Sequence, residues 1–273
     1  MWTDELFHVK KPIIALLHLR ALPGDPLYEK DATMGEVIEK AARELQALQE
    51  GGVDGILIAN EFSLPYEKKV SYVTVAAMGR IVGELKKEIK VPFGVNIVSN
   101  PLATIDLAAA VEADFVRSTF TGAYIGENGI TDTNIPEVLR RKKALGLDKM
   151  KLLYKVNPES DVYLAERSLE KITKSMIFHC FTDGLCVSGS SAGQETDSSL
   201  VRRVKAVSGF VPVFCNTGCT KENVVEKLSE CDGACVGTAF KKDGKFENYV
   251  EKQRVMEFMD VVKAYRCTMK EGV

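Results

Sequence analysis

The sequence predicts a (β/α)8 barrel, and three observations support this fold class. Eight short apolar runs have the length and composition of strands, a helix-patterned segment follows each of them, and the runs alternate between two kinds. One kind mostly opens with proline and the other with aspartate. The first kind begins at Pro12, Pro92, Met150 and Pro212, and the second at Asp54, Asp114, Asp183 and Asp232.

The apolar runs favour a parallel sheet. IIALL and ILIA are almost continuously apolar, as in strands covered on both faces, and proline at the first residue of a strand removes no ladder hydrogen bond. Because alternation alone does not demonstrate closure, an open doubly wound sheet is the alternative. The predicted helices span 34–50, 73–89, 102–112, 135–145, 162–177, 200–207, 222–229 and 250–265.

Capping residues agree with these helix boundaries. Asp31 or Thr33 is predicted to cap the first helix, and Thr131, Asp132 or Thr133 the fourth. No linker or low-complexity segment interrupts the pattern. Residues 1–273 are therefore predicted to form one TIM-barrel domain.

Composition restricts the expected partner. The chain is 45% hydrophobic with a net charge of -2, and its acidic and basic residues interleave, so nothing indicates a nucleic-acid or membrane-surface footprint. Seven cysteines lie mostly within apolar runs, as expected for reduced thiols, and no signal peptide or membrane span is predicted. Two C-x-x-x-C spacings are wider than those of zinc sites. We expect a cytoplasmic protein that binds a small molecule, with no predicted metal site.

The last two predicted strands end in small polar residues. VPVFCNTG and DGACVGT flank one short helical segment. Backbone N–H groups at such strand ends can surround an oxyanion, and in a (β/α)8 barrel the last two strands are the usual place for phosphate. The predicted phosphate-binding residues are Thr217, Gly218, Gly237 and Thr238.

Three residues are candidates for acid–base chemistry. His18 ends the run IIALLHL and suits proton exchange near neutral pH, although a core histidine is the alternative. Glu61 follows ILIAN and is the first choice for a catalytic carboxylate; its alternative is a salt bridge to Arg117 or Lys155. Asp132 competes with Glu61, although its position just before a helix also suits an N-cap.

Other polar residues near the strand ends are predicted to bind substrate, because strand C-termini in a barrel face one mouth. Arg117 suits a carboxylate, phosphate or enediolate oxygen, with an internal ion pair as the alternative. Lys155 suits an anion, with a Schiff base as the alternative. The glycine-rich loop 119–133 is predicted to be a lid. The predicted substrate-binding set is Asn60, Asn96, Arg117, Lys155, Ser188, Ser190 and Asn216.

Motifs along almost the whole chain resemble one family. HLRALPGDPLYEK, GGVDGILIANEF, PFGVNIV, RSTFTGAYIGENGITDT and VSGSSAGQETD occur in order, followed by the paired TG and GT. From about Lys11 to Arg266 the chain resembles the BtpA family, in its SgcQ-like branch. The resemblance implies a ribulose-phosphate-binding-type barrel. The family takes its label from a photosystem I biogenesis factor, whereas SgcQ-like members look like companions of sugar-phosphate metabolism.

The leading hypothesis is an enzyme that acts on a phosphorylated sugar or related metabolite by isomerase, epimerase or aldol-type lyase chemistry. A base beside an oxyanion-stabilising arginine and asparagine fits proton transfer next to a carbonyl. The alternatives are a non-catalytic assembly or stability factor and a metal-assisted hydrolase with Glu61, Asp132 and His18 as ligands. No cofactor is predicted, a divalent metal belongs only to the last alternative, and a homo-oligomer is expected.

Overall fold

Eight parallel strands close into a barrel in the computed structural model, which describes residues 1–189, 194–216 and 218–269. The strand that starts the barrel pairs with the one that ends it, through Ile13 and Ala234. The predicted (β/α)8 barrel is therefore confirmed over the open sheet. Around the barrel the strands are β1 (Ile13–His18), β2 (Gly55–Ala59), β3 (Phe93–Asn96), β4 (Phe115–Ser118), β7 (Lys151–Lys155), β9 (Gly184–Val187), β10 (Val213–Asn216) and β11 (Gly233–Val236).

A helix follows each barrel strand and packs outside it. An additional helix, α1 (Trp2–Phe7), precedes the barrel. Among the helices of the described residues, none combines the length and apolar composition that crossing a bilayer requires. The outer helices are α2 (Met34–Gly51), α3 (Tyr72–Leu85), α4 (Pro101–Val111), α5 (Ile135–Ala144), α6 (Leu169–Cys180), α7 (Ser198–Lys205), α8 (Val224–Glu230) and α9 (Lys252–Thr268).

The alternation of Pro-type and Asp-type strands has a structural cause. The aspartates that precede β2, β4, β9 and β11 each accept a hydrogen bond from a backbone N–H at the start of the preceding barrel strand. The same four aspartates donate their own backbone N–H to the carbonyl of that residue. This reciprocal clasp fixes the register of neighbouring strands at their N-terminal ends. The pairs are Asp54 with Ile13, Asp114 with Phe93, Asp183 with Leu152, and Asp232 with Val213.

Removing one clasp is expected to destabilise the barrel. Asp114→Ala leaves the N–H of Phe93, now 3.0 Å from a carboxylate oxygen, without its side-chain acceptor. We expect the free energy of unfolding, measured by urea titration, to fall by about 1–3 kcal/mol. Asp106→Ala removes an aspartate from an exposed pair with Arg141 and is expected to cost about 0–1 kcal/mol. Equal losses in the two variants would contradict the clasp.

Helix α1, which was not predicted, closes the barrel at the N-terminal ends of its strands. Phe7 enters the barrel and packs edge-on against Phe115, with ring centroids 5.9 Å apart. Glycine at the start of β2 makes room for it, because a Cβ on Gly55 would lie 2.6 Å from the Phe7 ring. Trp2 donates a hydrogen bond to the carbonyl of Asp183 at 2.8 Å. Helix α1 thus fills the barrel interior at the N-terminal ends of the strands. The polar C-terminal strand ends lie at the other end of the barrel, which is its mouth.

The segment after β4 folds as part of a small antiparallel sheet over the mouth. It consists of β5 (Ala123–Gly126), β6 (Gly129–Asp132) and β8 (Val162–Tyr163), in the order β6-β5-β8. The predicted helix over 162–177 is therefore wrong at its first residues, and α6 begins only at Leu169. Tyr163 pairs with Tyr124 in this sheet and packs edge-on against it. An alternating pattern, with Val162 exposed and Tyr163 half-buried, marks a strand rather than a helix.

The cap of α5 also differs from prediction. Thr131 and Asp132 belong to β6, because they pair with Tyr124 and Ala123 of β5. Asn134 caps α5 instead, by accepting a hydrogen bond from the backbone N–H of Glu137. For α2, Thr33 caps the helix as predicted.

Candidate functional site

The barrel mouth contains two adjoining compartments. The smaller has a cavity volume of about 310 Å³ and lies over β1, β10 and β11. The larger, of about 1120 Å³, lies between the ends of β3, β4 and β7 and the small sheet. Glu61 and Glu159 line both. These two carboxylates therefore mark the boundary across which a ligand occupying both compartments would extend.

His18 lies in the wall of the smaller compartment and is almost completely buried. Burial, followed by the positive charges of Lys241 and Arg117, holds the pKa of His18 well below its ordinary value. Its ring is therefore neutral at pH 7. The Nδ1 atom is buried and has no hydrogen-bond partner among the described residues. A neutral imidazole can donate or accept a hydrogen bond here but cannot supply a fixed positive charge.

Aromatic rings and a glycine position His18. Its ring centroid lies 5.0 Å from that of Phe246, which in turn stacks on Phe62 at 4.7 Å. On its other side, a Cβ on Gly237 would lie 3.0 Å from Cε1 of His18 and 3.1 Å from Nε2. Glycine at position 237 therefore allows the backbone after β11 to approach the imidazole.

Arg117 is the buried cation of the mouth, only 2% exposed. Its guanidinium donates to Oδ1 of Asn216 at 2.7 Å and forms an ion pair with Glu61 at 3.5 Å. Asn216 in turn donates to the hydroxyl of Ser188 at 2.8 Å. Nε of Arg117 is buried without a partner in the described part of the chain. Burial opposes the charge of Arg117, but Cys235 and Glu61 raise its pKa, so the side chain stays cationic.

Glu61 is held from two directions. Oε1 faces Arg117, and Oε2 accepts a hydrogen bond from Tyr66 at 3.0 Å. Burial and the neighbouring carboxylate Glu61 raise the pKa of Tyr66, which keeps this phenol protonated as a donor. The salt bridge named as the alternative for Glu61 is thus present. It orients the carboxylate toward both compartments.

The phosphate-site prediction falls on the smaller compartment. Gly218, Gly237 and Thr238 all line it, whereas Thr217 lies outside the described residues. Gly218 has a φ of 72°, and a Cβ there would lie 2.2 Å from the backbone oxygen of Gln194, so the loops after β9 and β10 are pressed together. His18, Glu61 and Arg117 line the same compartment, and Gly237 lies against the imidazole of His18.

Arg254 adds a cation to this compartment that the sequence analysis missed. It lies in the first turn of α9, lines the cavity, and donates from Nε to the carbonyl of Ala239 at 3.1 Å. The first turn of a helix that follows a barrel strand lies at the mouth. Arg254 could have been predicted to lie at the mouth, because residues 250–265 were predicted to be helical and Arg254 falls in the first turn of that helix.

Three of the remaining predicted residues line the larger compartment. Asn96 and Lys155 line its floor, and Asp132 lines it from the exposed edge of the small sheet. Lys155 forms an ion pair with Glu159 at 3.3 Å. Oδ1 of Asn60 instead accepts a hydrogen bond from the backbone N–H of Val98 at 2.8 Å and supports the loop after β3.

Two of the predicted substrate-binding residues, Ser188 and Asn216, are fully buried and line neither compartment. Ser188 is fixed by backbone hydrogen bonds in both directions with the side chain of Asn157, while Ser190 lies outside the described residues. Glu159 and Tyr66, which no motif marked, are brought to the mouth by the loops after β7 and β2. Within residues 1–189, 194–216 and 218–269, no cluster of three or more His, Cys, Asp or Glu side chains is arranged to hold a metal ion.

Fold and site together define a (β/α)8 barrel protein with a polar two-compartment mouth. Comparison with known sequences identifies the family: residues 9–264 match the BtpA family, and the chain belongs to it. It is 47% identical to the putative sgc region protein SgcQ of Escherichia coli, over 97% of this chain and 99% of that protein. It is 28% identical to the photosystem I biogenesis protein BtpA of Synechocystis, over 94% and 90% of the two chains.

Solved structures share the fold at low sequence identity. The (S)-3-O-geranylgeranylglyceryl phosphate synthase of Thermoplasma acidophilum, in complex with its substrate sn-glycerol-1-phosphate, is similar with a TM-score of 0.61 and 14% identity, over 96% of this chain and 97% of that one. The thiamine phosphate pyrophosphorylase of Pyrococcus furiosus gives a TM-score of 0.57 and 16% identity, over 97% and 99%.

Proposed function

We propose that this protein is an enzyme that acts on a phosphorylated sugar or related metabolite by moving a proton next to a carbonyl group. One observation carries the proposal: the smaller compartment is lined both by Gly218, Gly237 and Thr238 and by His18, Glu61 and Arg117. Its volume of about 310 Å³ suits a small metabolite. The similar synthase that binds sn-glycerol-1-phosphate supports a phosphate ester as ligand.

The proposed roles follow from the charges. Glu61 accepts the proton from the carbon beside the carbonyl, and the electron pair moves onto the carbonyl oxygen. Arg117 stabilises the resulting enediolate as a cation, and neutral His18 stabilises it as a hydrogen-bond partner. Return of the proton to the former carbonyl carbon, with the hydroxyl proton of the neighbouring carbon passing to the former carbonyl oxygen, gives isomerisation. Return of the proton to the opposite face of the original carbon gives epimerisation. Backbone N–H groups near Gly237 and Gly218, with Arg254, hold the phosphate.

Hydrogen exchange offers a direct test of this chemistry. The test uses a sugar phosphate that raises the Tm of the protein. In D2O, the wild-type protein is expected to catalyse exchange of deuterium onto the carbon beside the carbonyl of that sugar phosphate, as followed by NMR. Glu61→Gln is expected to keep the ligand-induced rise in Tm and to lose about 100-fold or more in the exchange rate. If no phosphate ester raises the Tm of either protein, the proposal is wrong.

The assembly-factor reading of the family is a second candidate, favoured by an apolar row on the small sheet. Ile125 faces Ile130 on one side and Val162 on the other, and all three are exposed. That reading predicts no rise in Tm with phosphate esters and no exchange. Lid closure by the small sheet, a cytoplasmic location and a homo-oligomer remain predictions.

A further inference from the structure

The larger compartment has space that a three- or four-carbon phosphate ester does not need. Its volume of about 1120 Å³ is more than three times that of the compartment assigned to the phosphate end. The two compartments share Glu61 and Glu159 as walls. A substrate whose reacting carbon lies beside Glu61 therefore has room to extend past these carboxylates, beneath the small sheet.

Unpartnered buried acceptors lie in this second space. Asn96 is 2% exposed, lines the compartment, and its Oδ1 has no hydrogen-bond partner in the described ranges. Oε1 of Glu159 is likewise buried without a partner there, while its other oxygen contacts Lys155. Leaving such acceptors unsatisfied is costly, so a ligand with N–H or O–H donors would be stabilised at this position.

Charge favours an amine over a second anion. The described walls carry six carboxylates and three lysines. Two of those lysines already have partners, since Lys155 is paired with Glu159 and Lys68 donates to the carbonyl of Ile130. Asp132 and Asp161 have no ion pair with any described residue. A cationic amine would meet acceptors here, whereas a phosphate would meet carboxylates.

We propose that the larger compartment binds an amino group at the far end of the substrate, and that the substrate class is an amino-substituted sugar phosphate. This inference rests on the proposed function for the phosphate end. Oδ1 of Asn96 and Oε1 of Glu159 accept hydrogen bonds from the ammonium group. Asp132 and Asp161 contribute negative charge at longer range.

Calorimetric titration with matched probes tests the proposal. Glucosamine 6-phosphate and glucose 6-phosphate differ only by an amine in place of a hydroxyl, and glycerol 1-phosphate carries the phosphate alone. Wild-type protein is expected to bind glucosamine 6-phosphate about tenfold or more tightly than glucose 6-phosphate. Asn96→Leu and Glu159→Gln are expected to remove that preference, and Asn96→Leu, which changes only the larger compartment, is expected to leave the affinity for glycerol 1-phosphate unchanged. Asp148→Asn, an exposed charge change paired with Lys143, is the control.

Each outcome separates this inference from the function on which it rests. If the two hexose phosphates bind equally, or fructose 1,6-bisphosphate binds more tightly than both, the amine site is wrong while the phosphate site stands. If free glucosamine binds and loses affinity in Asn96→Leu, while glycerol 1-phosphate does not bind, the amine site stands and the phosphate site is wrong. If no probe binds, both are wrong.

Discussion

Glu44→Gln is expected to lower the free energy of unfolding by about 3–5 kcal/mol, because it leaves two buried lysines without their counter-charge. Oε1 of Glu44 lies 2.9 Å from Nζ of Lys40 and 3.7 Å from Nζ of Lys241. The three side chains are 1%, 7% and 0% exposed, in the order Glu44, Lys40 and Lys241. The same oxygen accepts a hydrogen bond from the backbone N–H of Val250.

This cluster supports the candidate site from behind. Lys40 donates to the backbone carbonyl of His18 at 3.2 Å, and Lys241 donates to the carbonyl of Asn248 at 3.1 Å. The loop that carries Phe246 to the imidazole is therefore tied to α2 through Glu44. Loss of the carboxylate is expected to loosen that loop as well as to destabilise the fold.

The pH dependence gives this prediction a second readout. Burial lowers the pKa of Lys241 to about 8, against 10.5 for an unperturbed lysine. The folded protein therefore binds fewer protons than the unfolded chain between these values, and its stability rises with pH across that window. Glu44 raises the pKa of Lys241, so the variant begins to gain stability at lower pH. The destabilisation caused by Glu44→Gln should therefore be largest at acidic pH and shrink as the pH rises toward 8, because the variant gains this stability before the wild type does.

Urea titration at pH 6.5 and pH 9 measures both effects. Glu84→Gln breaks an exposed pair with Arg80 and is expected to cost less than about 0.5 kcal/mol. Replacing all three buried charges together, in Lys40→Met, Glu44→Leu and Lys241→Met, is expected to cost less than Glu44→Gln alone, because no unpaired buried charge remains. A triple variant as unstable as Glu44→Gln would show that the charges themselves stabilise the fold.

The barrel was predictable because its signal is local and repeated. Each Asp-Gly start encodes a clasp and a cavity: the carboxylate of Asp232 accepts a hydrogen bond from the preceding strand, and Gly233 leaves room for the ring of Phe214. α1 was not predictable, since a six-residue helix is too short for periodicity to reveal. The small sheet was missed because the two-residue β8 gains its order from pairing with β5.

The site was predictable only in the residues that sit at strand ends. His18, Asn96, Arg117 and Asn216 each end or nearly end a barrel strand, so barrel geometry alone places them at the mouth. Tyr66 and Glu159 lie on loops, and their approach to Glu61 and Lys155 depends on loop conformation that spacing does not encode. Sequence also gives no measure of burial, which is what makes His18 neutral.

Arg117→Met is expected to lower the turnover rate by about 100- to 1000-fold for a sugar phosphate that the wild type converts. The substitution removes the cation that faces Glu61 and would stabilise the enediolate. It also removes the donor to Oδ1 of Asn216 and one of the charges that lower the pKa of His18. The pKa of His18, followed by NMR of its ring, should therefore rise toward its ordinary value while burial still holds it below.

Arg117→Lys separates charge from geometry. Lysine keeps the positive charge but cannot donate to Asn216 and Glu61 in the fixed planar arrangement of a guanidinium. We expect Arg117→Lys to leave the pKa of His18 low and still lose about tenfold or more in kcat, with a smaller change in KM. If both variants retain wild-type kcat while losing stability, Arg117 acts only as an internal partner of Glu61, and the enediolate must be stabilised by other groups.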